Sequence, residues 1–331
     1  MDPIAPISLD AIRTARSRIH RSAVRTPLLP LPPASSEASR GGAGGRTPRI
    51  WLKLECLQPI GSFKIRGAAK ALAMATEDQL RRGVYTASAG NMAQGVAFAA
   101  RRRRLPCRVI VPESAPRTKV ESIRRLGGTV VPLPFDEWWR VLEEHGHPEE
   151  EGLFVHPVSD PAVIAGNGTV GLEIIEELPD VAAALAPYGG GGLSCGIASA
   201  LKAHRPEIRV LAAEVETAAP FAASLQAGRP ASVERIPTFV DGIGGASVLE
   251  EMWPLARDLL DGSIVESIDD VCAAILRLAR DVKVVAEGAG GAAVSAALRY
   301  AAEVDGPVVA VVSGGNIDTD VLATILEGGR P

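Results

Sequence analysis

The chain has 331 residues, 47% of them hydrophobic and 22% charged, with a net charge of −4. It is long enough for two domains, too apolar to be disordered, and its charge balance gives no footprint for nucleic acid. Cys56, Cys107, Cys195 and Cys272 are scattered without a CxxC pair and the histidines lack metal-ligand spacing, which argues against a disulfide framework and a metal centre.

In chain order, Met1–Ser8 has no basic stretch followed by an apolar one, and no uncharged apolar run is long enough to span a bilayer. The sequence therefore reads as soluble and cytoplasmic. Ser8 opens an amphipathic helix with Leu9, Ile12, Ala15 and Ile19 on one face, closing at Arg25–Leu28. Ala34–Pro48, rich in Ser, Gly and Arg, reads as a surface loop. Ile50–Glu55 alternates as a strand. Pro59 and Gly61 turn the chain, and Ser62 is placed to cap a helix through Ala68–Ala75. From Val84 the pattern is regular. Strands are expected at Val84–Ala87, Arg108–Val111, Thr129–Pro132 and Leu153–His156, with helices at Met92–Arg103, Arg117–Leu126 and Glu137–His145. The run Arg101–Arg104 falls at a helix end, where positive charge suits the dipole, and reads as solvated. Beyond Asp160, helices are expected at Gly168–Leu178, Cys195–His204, Ile268–Lys283, Gly290–Glu303 and Asp318–Leu326, and strands at Ile208–Glu214 and Val308–Val312. This alternation predicts an α/β protein of two doubly wound open-sheet domains. The expected division is residues 1–81 with 160–331 as a discontinuous large domain and residues 82–159 as a small one.

Five stretches bear on the chemistry. Lys64 falls in the first turn of a helix, where the positive N-terminus and any burial disfavour its charged form; a neutral lysine can form a Schiff base with an aldehyde. The alternative is a solvated surface lysine. Gly189-Gly190-Gly191-Gly192 before a helix is a phosphate cradle or a flexible linker, and it is not a Walker A loop. Gly288–Ala293 matches a loose G-x-G-x-x-A dinucleotide pattern without its strand and acidic partner, so it reads better as a closely packed helix start. Ser88–Asn91 and Ser313–Asn316 are polar turns at strand ends, where open α/β sheets place ligands; either could also be an ordinary turn or cap.

Together these stretches resemble one family, the fold type II (tryptophan synthase β-like) pyridoxal-phosphate enzymes, and within it the threonine/serine dehydratases and serine racemases. The resemblance rests on Lys53-Leu54-Glu55, Gly61–Ala68, Ser88–Asn91 with Ala93–Ala97, Gly166–Thr169 with Leu172-Glu173, Gly189–Leu193, Asp241-Gly242-Ile243 and Ser313–Asn316, all in family order. It implies that Lys64 holds pyridoxal 5'-phosphate and acts as base at the substrate Cα, and that Phe63 packs beside the cofactor ring. Asn91 would bond the phenolic oxygen, and Gly189, Gly190, Gly191, Gly192 and Leu193 the phosphate. Ser313 would face the pyridine nitrogen, and Ser88, Ala89 and Gly90 would receive the substrate carboxylate, with Asn91 beside them. It further implies a homodimer acting on a small amino acid.

A neutral hydroxyl at Ser313 does not keep the ring nitrogen protonated as a carboxylate would. That favours a reaction whose β-substituent leaves at once, giving a 2-oxo acid and ammonia from threonine or serine. Other β-substituted amino acids (a hydroxyaspartate, an aryl-serine, a diamino acid), racemisation, β-replacement and a non-catalytic cofactor-binding role are the alternatives. Three positions depart from the family. Ala89 replaces the serine that racemases use on the opposite face of Cα, which favours elimination. Met92 replaces the usual histidine, leaving strict threonine specificity open. Pro220 replaces the third ligand of a cation site whose first two positions fit Glu214 and Ala218, which leaves the site a ligand short, so no metal is assigned. The sequence ends at Pro331 without the regulatory domain of feedback-controlled relatives, so inhibition by isoleucine is not expected.

Overall fold

The computed structural model describes residues 2–33 and 49–331; the expected loop Ala34–Pro48 lies outside them. Helix α1 (Leu9–Ile19) begins as its sequence requires. The Ser8 hydroxyl accepts the Ala11 N–H at 3.2 Å, and Ile12, Ala15 and Ile19 are buried on one face. The helix ends at His20, before Arg25, and Leu28–Pro30 forms an unexpected edge strand, β1, antiparallel to β2 (Ile50–Lys53).

Next come α2 (Lys64–Met74), α3 (Glu77–Leu80), β3 (Val84–Ala87), α4 (Asn91–Arg103), β4 (Cys107–Pro112), α5 (Arg117–Arg125), β5 (Thr129–Leu133), α6 (Phe135–Glu143) and β6 (Leu153–Phe154). The remainder is α7 (Pro161–Glu177), β7 (Ala183–Pro187), α8 (Ser194–His204), β8 (Arg209–Val215), α9 (Pro220–Ala227), α10 (Trp253–Leu259), β9 (Ser263–Glu266), α11 (Ile268–Arg277), α12 (Gly288–Tyr300), β10 (Val308–Val311) and α13 (Thr319–Leu326). The strands form two sheets, in the orders β1-β2-β10-β7-β8-β9 and β5-β4-β3-β6. Apart from β1, all pairs are parallel. Every residue of β3, β7 and β10 is buried, as parallel strands covered on both faces must be. Two open parallel sheets linked by helices make this the expected α/β fold.

Helix α2 joins the two sheets. Its Ile65, Ala68 and Leu72 enter one apolar cluster with Val84, Val109 and Val111 of the smaller sheet. Its other side meets α7, where a Cβ on Gly166 would lie 2.5 Å from the Arg66 carbonyl oxygen. That close approach explains why a glycine stands at 166 inside a helix. One departure from expectation is the start of this helix: the sequence predicts it from Gly168, yet α7 already begins at Pro161 with Asp160 as its cap. The second departure concerns Ser62. It does not cap α2, because it is held as a bridge opposite Gly314; Phe63 takes the cap position, and Ser62 Oγ lies 3.4 Å from the Lys64 N–H. Arg101–Arg104 are exposed, with Arg104 left-handed at the helix C-cap. The four cysteines are free and buried. Among the described residues no helix is long and apolar enough to cross a membrane.

Candidate active site

Lys64 opens α2 directly behind the turn that follows β2. The turn is stitched to the end of β10. Phe63 N–H donates to the Ser313 carbonyl at 3.0 Å, Gly315 N–H to the Gly61 carbonyl at 2.9 Å, and Cys56 N–H to the Val312 carbonyl at 3.0 Å. Gly61 has φ +70, a left-handed value open to glycine, and a side chain there would strike Asn316. Lys64 is half-buried, with Nζ donating to the Pro157 carbonyl at 2.8 Å and 5.3 Å from the Phe63 ring centroid. Burial pushes its amine down to about 8, against the pull of the Glu287 charge. Phe63 itself is buried in the cluster that holds Leu193 and Tyr188. Ser313 is buried at the end of β10.

From Lys64 the contacts run in a closed ring. Pro157 leads to Val158, which lies against the glycine loop. A Cβ on Gly190 would fall 2.5 Å from Val158 Cγ1, and one on Gly192 2.8 Å from the Val158 carbonyl oxygen. Gly191 has φ +91. Leu193, 5% exposed, occupies the cap position of α8, whose first N–H groups have no intrahelical acceptor. On the other side, Gly189 approaches the Gly242 carbonyl, and Gly242 approaches Glu287. The Glu287 carboxyl accepts Asn91 Nδ2 at 2.9 and 3.0 Å. Asn91 Oδ1 accepts Asn316 Nδ2 at 2.7 Å, and Asn316 also donates to the Ile60 carbonyl at 2.9 Å, which closes the ring beside Gly61.

Ser88, Ala89 and Gly90 join the ring through Asn91. They form the half-buried turn between β3 and α4, and the Ser88 hydroxyl accepts the Gly90 N–H at 3.2 Å. Ala89 packs against the apolar cluster of α2 and α4. The structure thus brings the expected residues to one place, and it adds Glu287, Asn316, Pro157 and Val158. Burial pushes the Glu287 carboxyl up to about 7, opposed by the Asn91 hydrogen bond and reinforced by Asp241. A groove of about 530 Å³ between α5 and the start of α13 lies outside this ring.

Beneath the ring the remaining motif residues meet. Arg66 on α2 bonds Glu55 at 2.7 Å through both Nε and Nη2, and Glu173 at 2.7 and 2.8 Å. Lys53 Nζ reaches Glu173 at 2.7 Å and the Thr26 carbonyl at 2.6 Å; Thr169 Oγ1 accepts Arg66 at 3.0 Å. Burial alone would raise Glu55, but Arg66 holds it below the usual carboxylate range. Lys53-Leu54-Glu55, Arg66 and Leu172-Glu173 are therefore a buried charge-balanced clamp. Met92 is 1% exposed and packs in the core, away from solvent. Glu214 accepts the Phe221 and Ala222 N–H groups at 2.8 Å and the Ser263 hydroxyl at 2.6 Å, so it caps α9. Among the described residues no group of three or more His, Cys, Asp or Glu is placed to hold a metal.

A family described as "Pyridoxal-phosphate dependent enzyme" matches residues 19–314. The chain belongs to the pyridoxal-phosphate-dependent enzymes. Relatives include an L-threonine ammonia-lyase of Thermotoga maritima, 40% identical over 97% of this chain and 77% of that protein. Another, from Geobacter sulfurreducens, is 41% identical over 85% of this chain and 70% of its own. Among solved structures, maize serine racemase is 32% identical with a TM-score of 0.87, covering 98% of both chains. The cofactor is pyridoxal 5'-phosphate, and the ring fits it. A side-chain-free loop before a helix N-terminus suits a phosphate, and a lysine amine lowered to about 8 suits an aldehyde carbon.

Proposed function

We propose that this chain is an ammonia-lyase that dehydrates and deaminates a β-hydroxy amino acid, L-threonine or L-serine first, to a 2-oxo acid and ammonia. The observation that carries the reading is the lowered amine of Lys64, set in one ring with the glycine loop, Asn91 and the Ser313 turn. When bound, the cofactor supplies the electron sink for the Cα–H bond.

The chain's own residues do the rest. Lys64 moves the proton at Cα, and its acceptor on Pro157 fixes where Nζ points between turnovers. Gly189, Gly190, Gly191, Gly192 and Leu193 hold the phosphate with backbone N–H groups. Phe63 supports the ring and Asn91 donates to its phenolic oxygen, with Glu287 and Asn316 fixing the amide. Ser313 offers a neutral hydroxyl to the pyridine nitrogen. Ser88, Ala89, Gly90 and Asn91 receive the substrate carboxylate. Ala89 brings a methyl group where a racemase needs a hydroxyl, so elimination outruns racemisation. The same reading takes residues 1–81 with 160–331 as a cofactor domain, residues 82–159 as a substrate-loop domain, and the active form as a cytoplasmic homodimer.

The test is the visible spectrum of the purified protein during addition of L-threonine, L-serine and larger β-hydroxy amino acids in turn. The expected result is a cofactor band that shifts and yields 2-oxo acid and ammonia. A band that no hydroxy amino acid disturbs, or a racemisation rate above the elimination rate, overturns it.

A further inference from the structure

His156 stands one residue before the Lys64 acceptor and is 3% exposed. Its Nδ1 accepts the Val158 N–H at 3.1 Å and the Ser159 N–H at 2.8 Å, and lies 3.0 Å from Ser159 Oγ. The chain after β6 therefore folds back onto this one ring nitrogen. A nitrogen that accepts backbone N–H groups carries no proton, so the network assigns the proton of neutral His156 to Nε2. The His145 ring stacks on His156 at 4.2 Å and 12°, and Ser159 Oγ lies between the two rings, 3.3 Å from His145 Nε2. His145 Nε2 is in turn 3.3 Å from Glu251. Burial first, then the neighbouring His145 and Lys64 charges, push His156 down to about 3, so it stays neutral through the working range.

The folded-back residues are the ones that touch the ring on two sides. The Pro157 carbonyl receives Lys64 Nζ at 2.8 Å. Val158 presents its side chain to Gly190 and its carbonyl to Gly192. We propose that His156 is a positioning residue of this active site: its Nδ1 templates the Pro157–Ser159 turn, and through that turn it sets both the direction of the Lys64 amine and the closeness of the phosphate loop. It touches neither substrate nor cofactor. The inference deepens the reaction proposed above and rests on that reading for its kinetic part only.

The experiment compares His156→Asn and His156→Phe as holoenzymes. Asparagine places an acceptor oxygen near the position of Nδ1; phenylalanine keeps the flat ring and its stacking but accepts nothing. The readouts are the rate at which the cofactor's visible band is lost on dilution into a cofactor scavenger, and kcat and KM for the best hydroxy amino acid. For His156→Phe we expect cofactor loss faster by about tenfold or more, the scale of one buried hydrogen bond left unmade. The kcat should fall by a similar factor, with KM within about threefold of wild type. His156→Asn should recover most of both. Wild-type cofactor retention in His156→Phe, or loss in His156→Asn as large as in His156→Phe, overturns the proposal. If His156→Phe does not fold, His156→Gln takes its place, since its amide reaches toward the Nε2 position and leaves the Nδ1 position empty; cofactor retention equal to His156→Asn then overturns it. Cofactor retention needs no substrate, so a wild-type protein inert to hydroxy amino acids would sink the reaction and leave this test standing.

Discussion

At the scale of single residues, Glu287 is the group whose ionisation the fold disturbs in a testable way. Its carboxyl is 9% exposed and is raised from 4.5 to about 7, chiefly by burial. Between those two values the folded chain holds a proton that the unfolded chain has released. Stability should therefore fall as pH rises through that window, by up to about 3 kcal/mol for this group. Glu287→Gln removes the titration. Melting temperatures measured from pH 4.5 to 7 should show wild type losing ground to the variant as pH rises, and parallel curves would contradict the buried-carboxyl account. The same variant exchanges one acceptor facing Asn91 for a donor, so turnover should drop by about tenfold even where the fold is firmer. Lys64 was legible in the sequence because a lysine in a helix's first turn contradicts the dipole. Glu287 was not, because an acidic residue before a helix agrees with it and invites no further question. Only the approach of Gly242, Gly314 and Asn91 from distant parts of the chain makes it a site residue.

At the scale of elements, legibility followed how much of an element's character is local. β3 and β10 announce themselves through apolar, partly β-branched runs. β7 went unread because Ala183-Ala184-Leu185-Ala186-Pro187 contains no β-branched residue; its strand state is imposed by β10 and β8 on either side. The clamp under the site was visible only as motifs, since nothing in Lys53, Glu55, Arg66 and Glu173 tells from sequence that they meet. Its energetics give a prediction. Arg66 is the cation both glutamates share, and Glu55 and Glu173 are 0% and 4% exposed. Arg66→Met would leave two buried carboxylates competing for Lys53 alone. Removing one partner from such a buried pair costs about 3–5 kcal/mol, and urea unfolding at neutral pH should show a loss of that size. A loss below about 1 kcal/mol would mean that water reaches the clamp and that it contributes little to joining α2, β2 and α7.

At the scale of the whole molecule, the two-sheet architecture followed from alternation alone, whereas the relation between the sheets did not, because the apolar cluster around α2 and the polar contacts beside it join segments far apart in the chain. Two of the polar contacts tie α5, beside the smaller sheet, to loops of the larger one. Lys119 pairs with Asp241, and Thr118 Oγ1 donates to Asp318 at 3.2 Å. The ion pair is 23% and 47% exposed on its two sides, so it contributes less than about 1 kcal/mol to global stability. Its position gives it a larger part in binding. Asp241 precedes Gly242, which lies between the phosphate loop and Glu287, so α5 tethers a loop that touches both halves of the ring. Lys119→Ala should then leave the melting temperature within about 3 °C of wild type, while KM for the hydroxy amino acid rises by about threefold to tenfold and kcat changes little, the pattern of lost binding shared by ground and transition states. Raising the salt concentration should move wild type toward the variant and leave the variant where it is, because an exposed pair is screened. A variant with unchanged KM and a melting temperature lowered by more than about 5 °C would place Lys119 in the fold and not in the closing of the site.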